Sequence, residues 1–310
     1  MHLLIPFAAT LSDDCIHTLR DLQWPHLSRL LARLTPTERT GSDEYSLSPP
    51  HDLALAAALG WRATDGCLPF AARQAAADGV DVGLQPLGLL TPAHWHLASD
   101  HVSLVSPAEL ALNEHESRAL LDAVRPLFES EGWRLEYAAP LRWYGAHEML
   151  RDLPCAALDR VIGRNVDVWI PPDPRARQVR RLQSEVQMLL YNHPLNDERE
   201  ARGALTVNSF WLSGCGLRQG ESPAPDLHVD EALRASALAG DWAAWAEAWR
   251  ALDAGALRAL LQRAERGEPA ALTLCGERHA QRFDAQPRGV WARVTSGFRA
   301  APVATMLESL

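Results

Sequence analysis

Residues 181–216 read RLQSEVQMLLYNHPLNDEREARGALTVNSFWLSGCG, and they join a helix, a polar turn and a buried strand. Leu182, Val186, Leu189 and Leu190 recur at helical spacing, which predicts a helix running to Tyr191. Asn192, His193, Pro194 and Asn196 break it, because proline disfavours the helical conformation of the residue before it. Asp197, Glu198, Arg199, Glu200 and Arg202 give a second short helix the charge mixture of a solvated face, and Gly203 suits its C-terminus. Val207, Phe210, Trp211 and Leu212 predict a strand, which Gly214 and Gly216 end in a turn that leaves backbone N–H groups free. The whole segment is expected to be a scaffold around a small polar site.

On the N-terminal side, Leu3 to Phe7 is a compact apolar strand, and helical sequence follows from Ser12 to Leu34 with a break at Pro25. Thr35 to Ser48 is polar and is expected to be a loop. Pro49-Pro50-His51-Asp52 opens an Ala/Leu helix that ends at Gly60, and Phe70 to Ala77 is helical. Pro86 to Val105 predicts two strands with a turn at Ser99-Asp100. Asn113 caps a helix to Glu131, with Glu116 completing the Asn-x-x-Glu pattern. Trp133 to Tyr144 alternates like paired strands, and Val166 to Ile170 predicts one more. Farther on, Val229 to Leu238 and Ala243 to Arg266 predict helices and Ala270 to Cys275 a buried strand, while Val290 to Phe298 is ambiguous. An α/β core from residues 1–90 and 204–310, interrupted by an α+β lobe at 91–203, accounts for the change of texture.

At 310 residues and 47% hydrophobic content the chain has ample material for a core. A net charge of -9 argues against general nucleic-acid binding. No lysine occurs, so Schiff-base chemistry on lysine and a Walker-type phosphate loop are both excluded. The five cysteines, Cys15, Cys67, Cys155, Cys215 and Cys275, stand singly without zinc or redox spacing, which points to a reducing, cytoplasmic compartment. HLLIPFA is too short for a signal peptide core, and no apolar run reaches membrane-spanning length, so no membrane association is expected.

His94-x-His96 followed by Asp100-His101 resembles the metal motif of the metallo-β-lactamase fold, with three residues between His96 and Asp100 where that motif has one. On a strand, His94 and His96 share a face, which suits a metal or buried polar partners alike. Arg160, Arg164, Arg175, Arg177, Arg180 and Arg181 form a basic stretch that is either a solvated face or a fork for an anionic metabolite. Trp242, Trp245 and Trp249, at helical spacing, are expected in the core, with a groove for a protein partner as the alternative.

The segments TPAHWHLASDHVSL, LDRVIGRNVDVWIP, LQSEVQMLLY and VNSFWLSG together resemble the RpfE-type bacterial regulatory proteins. The region HPLNDEREARGALTVNSFWLSGCG is more distantly similar to the archaeal-type cofactor-independent phosphoglycerate mutases, in which an Asn-x-x-Arg helix precedes Pro-Ala-Asn, apolar residues and Arg-Gly-x-Gly. That resemblance implies an alkaline-phosphatase-like α/β core with an inserted α+β lobe, truncated here at the C-terminus. It also implies two metal ions and a phosphoryl-accepting serine, the metals neutralising the transferring oxygens. The serine motif Pro-Gly-Ser-Asp-Thr-Ala-His-Leu-x-Leu-Leu-Gly-Tyr lines up on Pro49 to Trp61, where His51 stands for the serine and Asp52, Ala54, Leu59 and Gly60 agree. The metal-binding Asp expected after the first strand is missing from Ile5-Pro6-Phe7-Ala8. Around TLCGERHAQRFD only Glu277, His279 and Asp284 could be ligands, at the wrong spacing, and Ser213 replaces the arginine of Arg-Gly-x-Gly.

The expectation is therefore a non-catalytic, regulatory or ligand-binding relative with a pocket for an anionic phosphorylated metabolite. Asn192, His193, Asn196, Arg199, Asn208, Ser213 and Arg164 are its candidate contacts, and His51 and Asp52 the candidate catalytic remnants. His193 equally suits a helix cap, and Asn192 and Asn196 suit turn formation. The alternative is a phosphoryl-transfer enzyme with non-standard residues that uses Mn²⁺ or Mg²⁺. His51 is expected in the first turn of its helix, facing a cleft between core and lobe, where the helix dipole favours an anion and a neutral ring.

Overall fold

Leu3, Leu4 and Ile5 have no solvated face, and in the computed structural model of the chain they lie at the centre of a sheet covered by helices. The structure describes residues 1–62, 64–81, 83–222, 226–285 and 302–310. The chain runs β1 (His2–Ile5), α1 (Asp13–Asp21), α2 (Pro25–Leu31), β2 (Thr35–Gly41), α3 (Pro50–Ala58), α4 (Phe70–Ala77) and β3 (Leu87–Ala93). It continues through β4 (Trp95–Leu97), β5 (Val102–Leu104), α5 (Glu114–Ser130), β6 (Arg134–Ala139), β7 (Arg142–Ala146), α6 (Leu158–Val161), α7 (Ala176–Tyr191), α8 (Pro194–Ala201) and β8 (Ser209–Gly216). Last come β9 (Leu227–Val229), α9 (Arg234–Ala239), α10 (Trp242–Leu252), α11 (Arg258–Glu265), β10 (Ala271–Cys275), β11 (His279–Asp284) and α12 (Val303–Glu308).

The elements divide into two compact units, one of Met1–Glu44, Pro49–Arg62 and Glu221–Leu310, the other of Tyr45–Ser48 and Ala63–Gly220. The first is α/β. Its sheet has the order β2-β11-β10-β1-β9, with β9, β1 and β10 parallel and β11 antiparallel to both of its neighbours, β10 and β2. Leu3 and Ile5 pack with Leu19 of α1, Leu27 and Leu30 of α2, Trp245 and Trp249 of α10, and Leu260 of α11. Leu4 points the other way, into a cluster with Ala54 of α3 and Cys275. A strand buried on both faces must be apolar throughout, which is why LLI does not alternate. Trp245 and Trp249 are core residues, as their spacing indicated, and a π-turn at Asp253–Leu257 joins α10 to α11. From it the buried Asp253 carboxylate accepts the backbone N–H groups of His26 and Leu27, satisfying the start of α2.

The second unit is α+β. Its sheet β6-β7-β3-β8 is antiparallel throughout, with β4 and β5 as a separate hairpin. Leu120, Leu121, Val124 and Phe128 of α5 and Leu182, Val186 and Leu190 of α7 share a core with Phe210 and Leu212 of β8. The expected capping box is present: Asn113 Oδ1 accepts the Glu116 N–H at 2.9 Å, and Glu116 Oε2 accepts the Asn113 N–H at 3.2 Å.

Several elements differ from the sequence expectation. Thr35–Gly41 is a strand and not a loop; as an edge strand with mostly exposed side chains it is held by backbone bonds to β11 and needs no apolar pattern. Val166–Trp169 is a 3₁₀ turn, because Asn165 Oδ1 accepts the Asp167 N–H at 3.0 Å and bends the chain. Leu227–Val229 pairs with β1 and shortens the expected helix to Arg234–Ala239. Residues 86–105 give three strands where two were expected. Gly214 lies within β8, at φ 65° beside a register shift against β3, while Gly216, at φ 144°, is the last residue of the strand as expected. β3 and β8 pair with each other, so both belong to the second unit, and the expected divisions at 90/91 and 203/204 lie within it. Residues 290–298 lie outside the described residues.

Candidate functional site

Parallel strands deliver their carboxyl ends to one edge of a sheet, and in α/β folds ligands bind there. In the first unit, β1 lies between β9 and β10, so the residues that follow these three strands meet at that edge. Asp230 N–H donates to Leu4 O at 2.9 Å, and Ala8 N–H donates to Cys275 O at 2.8 Å. Between them Phe7 takes a positive φ of 57°, a costly conformation for a side chain of its size. The surroundings hold it there: Trp245 Nε1 donates to Phe7 O at 3.0 Å, and the Phe7 ring lies 5.1 Å from that of His51.

His51 is in the first turn of α3, where the sequence placed it, because Pro49-Pro50 fixes the start of a helix that LALAAAL continues. Two features modify the expected anion site. The Asp52 and Leu53 N–H groups both donate to Pro49 O, at 3.0 and 3.2 Å. The Asp52 carboxylate is also 3.8 Å from His51 Nε2, a counter-charge that the dipole argument left out. Beneath them, burial pushes the Cys275 thiol well above its ordinary range, and the negative charges of Asp52 and Glu231 push it further. The edge therefore combines the His51 imidazole with the carboxylates of Asp52 and Glu231. Such a set hydrogen-bonds a ligand carrying both acceptor oxygens and hydroxyl groups.

The candidates of the second unit serve its own packing. Asn196 is buried; its amide donates to Leu190 O and Val207 O, and its oxygen accepts the Val207 N–H at 3.0 Å. Arg199 is fully buried, donating to Leu205 O at 2.7 Å, to Leu110 O, and to Glu116 Oε2 at 2.8 Å. The Asn-x-x-Arg pattern thus fastens α8 to the core and aims no group at a ligand. Asn208 holds both backbone groups of Trp95, at 2.8 and 3.0 Å. His193 caps α8, its Nδ1 accepting the Leu195 N–H at 3.3 Å, and exposed Asn192 ends α7. Ser213 is buried in β8 opposite Leu89, and the Arg164 guanidinium lies 5.7 Å from the Trp169 ring. In the basic stretch Arg175 is ion-paired with Asp173, Arg180 with Asp167, and Arg181 with Glu131 and Glu185.

The metal candidates are not assembled. His94 lies between β3 and β4 with its Nδ1 2.8 Å from Thr206 O, His96 is exposed, and Asp100 pairs with its neighbour His101 at 2.7 Å. His279 and Asp284 stand at opposite ends of β11, about 17 Å apart along a strand, and Glu277 accepts the Leu11 N–H at 2.9 Å. Among the described residues no three His, Cys, Asp or Glu side chains are grouped to hold a metal ion. Sequence reading missed Phe7 and Glu231; a bulky residue directly after a β1-Pro step was the available signal for the first, and Glu231 was placed inside a helix.

No family model and no curated protein matches the chain. Among solved structures it is similar to the cofactor-independent phosphoglycerate mutase from Thermoplasma acidophilum DSM 1728, at 15% identity and a TM-score of 0.37, over 92% of this chain and 89% of that one. It is also similar to the PH0037 protein from Pyrococcus horikoshii, at 13% identity and a TM-score of 0.47, over 92% of this chain and 87% of that one. These are distant structural likenesses, and no activity follows from them. No helix among the described residues is long and apolar enough to cross a membrane.

Proposed function

We propose that the chain is a non-catalytic ligand-binding protein. Its first unit receives a small phosphate ester at the carboxyl edge of β9, β1 and β10. The observation that carries this is the pairing of His51 with Phe7 at the head of α3. In the resemblance drawn from the sequence His51 stands at the place of the nucleophilic serine, and Phe7 lies in the Ile5-Pro6-Phe7-Ala8 stretch from which the metal-binding carboxylate is missing. An imidazole N–H can still donate to a phosphoryl oxygen, and Asp52 and Glu231 can accept from hydroxyl groups of the same ester. The regulatory part of the proposal follows the likeness of four long segments to the RpfE-type proteins.

The test is titration of wild type and His51→Ala with 3-phosphoglycerate, followed by tryptophan fluorescence, since Trp245 donates to the carbonyl of Phe7. Saturable binding that weakens at least fivefold in His51→Ala is expected. Equal affinities would remove His51 from the site. A coupled mutase assay with Mn²⁺ or Mg²⁺ should give no turnover; a rate of about one per second or faster would establish an enzyme instead.

A further inference from the structure

Cys155 and Cys215 are sixty residues apart in sequence, and the second unit brings their sulfurs to 3.2 Å. A disulfide bond is about 2.04 Å long, so the two atoms need to close by about 1.2 Å. Cys215 is fully buried in β8, and Cys155 is nearly so, at the wall of an apolar cavity lined by Leu153, Trp169, Val179 and Trp211. A third thiol is adjacent. The Cys155 N–H donates to Gly66 O at 2.9 Å, which sets Cys67 beside the pair, and Cys67 is partly exposed where the other two are not. Its sulfur lies 3.8 Å from Asp152 O. Burial raises the Cys67 thiol and Cys155 raises it further; Cys215 is raised well above the usual range by burial first and then by Cys155 and Cys67. Of the three thiols one is thus partly open to solvent and two are enclosed.

We propose that Cys155 and Cys215 form a dithiol–disulfide pair, oxidised by a low-molecular-weight disulfide that enters at Cys67. In the first step the Cys67 thiolate attacks one sulfur of the oxidant RSSR, forming Cys67–S–S–R and releasing RS⁻, which takes up a proton. Deprotonated Cys155 then attacks the Cys67 sulfur and expels the second RS⁻, giving a Cys67–Cys155 disulfide. Finally the Cys215 thiolate attacks the Cys155 sulfur, the Cys155–Cys215 bond forms, and Cys67 leaves as a thiolate that is reprotonated. Two electrons pass to RSSR, two RSH are produced, and Cys67 ends as it began. Thiolates are the attacking species, so the raised Cys67 and Cys215 thiols make the exchange slow at neutral pH and faster as pH rises. The competing account is that the pair is merely two small apolar residues in contact within a core.

The experiment exposes the folded, reduced protein to excess glutathione disulfide, quenches it in acid, alkylates the free thiols and maps the peptides. The expected result is loss of two thiols per chain, with the Cys155 and Cys215 peptides joined and Cys15, Cys67 and Cys275 alkylated. Cys67→Ser should slow the linkage at least tenfold and leave its end point unchanged. Cys215→Ala should stop at a bond involving Cys67. Cys155 and Cys215 both remaining alkylatable at equilibrium, or becoming linked only in urea, would overturn the pair. An undiminished rate in Cys67→Ser would overturn the entry route.

Discussion

Replacing Glu116 by glutamine keeps the shape of the side chain and removes its charge, and the structure sets the cost. Glu116 is 3% exposed and receives hydrogen bonds from the Asn113 N–H, from fully buried Arg199 and from Arg202. Burial acts to raise its carboxyl, but the Arg202 hydrogen bond, the Asn113 N–H and the Arg199 charge outweigh burial and hold it below the usual carboxylate range. The Arg199 guanidinium moves down as well, because desolvation exceeds the attraction of Glu116. Desolvation thus offsets much of the attraction within the pair, and the large quantity is the cost of leaving one partner alone. Breaking a buried pair costs about 3–5 kcal/mol, and the lower end applies because glutamine still accepts a bond. With a urea slope of about 2 kcal/mol per M, the unfolding midpoint of Glu116→Gln should fall by roughly 1.5 M. Arg202→Ala, half-exposed at its own end, should cost about 1 kcal/mol or less. Glu116→Leu with Arg199→Met should cost less than the sum of the single changes. The depressed carboxyl also fixes a sign. Its contribution is complete above the unfolded value near 4.3 and is lost as pH falls through the lower folded value, so Glu116→Gln should flatten acid denaturation below about pH 4.3. A loss under about 0.5 kcal/mol in Glu116→Gln, or additive double-mutant costs, would refute the reasoning.

Three further outcomes are expected. His2 is held at about 4 by burial and then by the Arg282 charge, so its contribution is complete above the ordinary 6.5 and is lost as pH falls through about 4. His2→Gln should accordingly flatten the urea midpoint between those values, and an unchanged slope would contradict it. Gly214→Ala should destabilise the second unit by about 1–3 kcal/mol in thermal unfolding, because φ is 65° and an added Cβ would stand 2.8 Å from the Ala71 nitrogen. An oxidised Cys155–Cys215 pair closes a loop of about sixty residues, which raises stability by about 4 kcal/mol on the chain-entropy account, and dithiothreitol should reverse the shift.

The local devices of this chain were legible because they depend on neighbours in sequence. The Asn113–Glu116 capping box, the start of α3 at Pro49-Pro50, the span of α4 and the both-sided burial of β1 follow from side-chain spacing, turn chemistry and the missing N–H of proline. Position 51 in the first turn of α3 was legible for the same reason. Contacts made across long separations were not. β2 is charged and mostly exposed, and only its backbone pairing with β11, more than two hundred residues away, makes it a strand. Arg199 sits among surface-type residues in the sequence, yet it is the buried centre of a network, because Glu116 lies 83 positions earlier and Leu110 89. The charge pattern of α8 could not reveal that one of its arginines turns inward. Cys155 and Cys215 looked solitary for the same reason. Sequence by itself determined which elements could form and where they start, since those energies are local. The tertiary structure alone decided which polar groups are buried in packing and which gather at the carboxyl edge of the first unit's sheet, since burial and pairing arise only when distant segments meet.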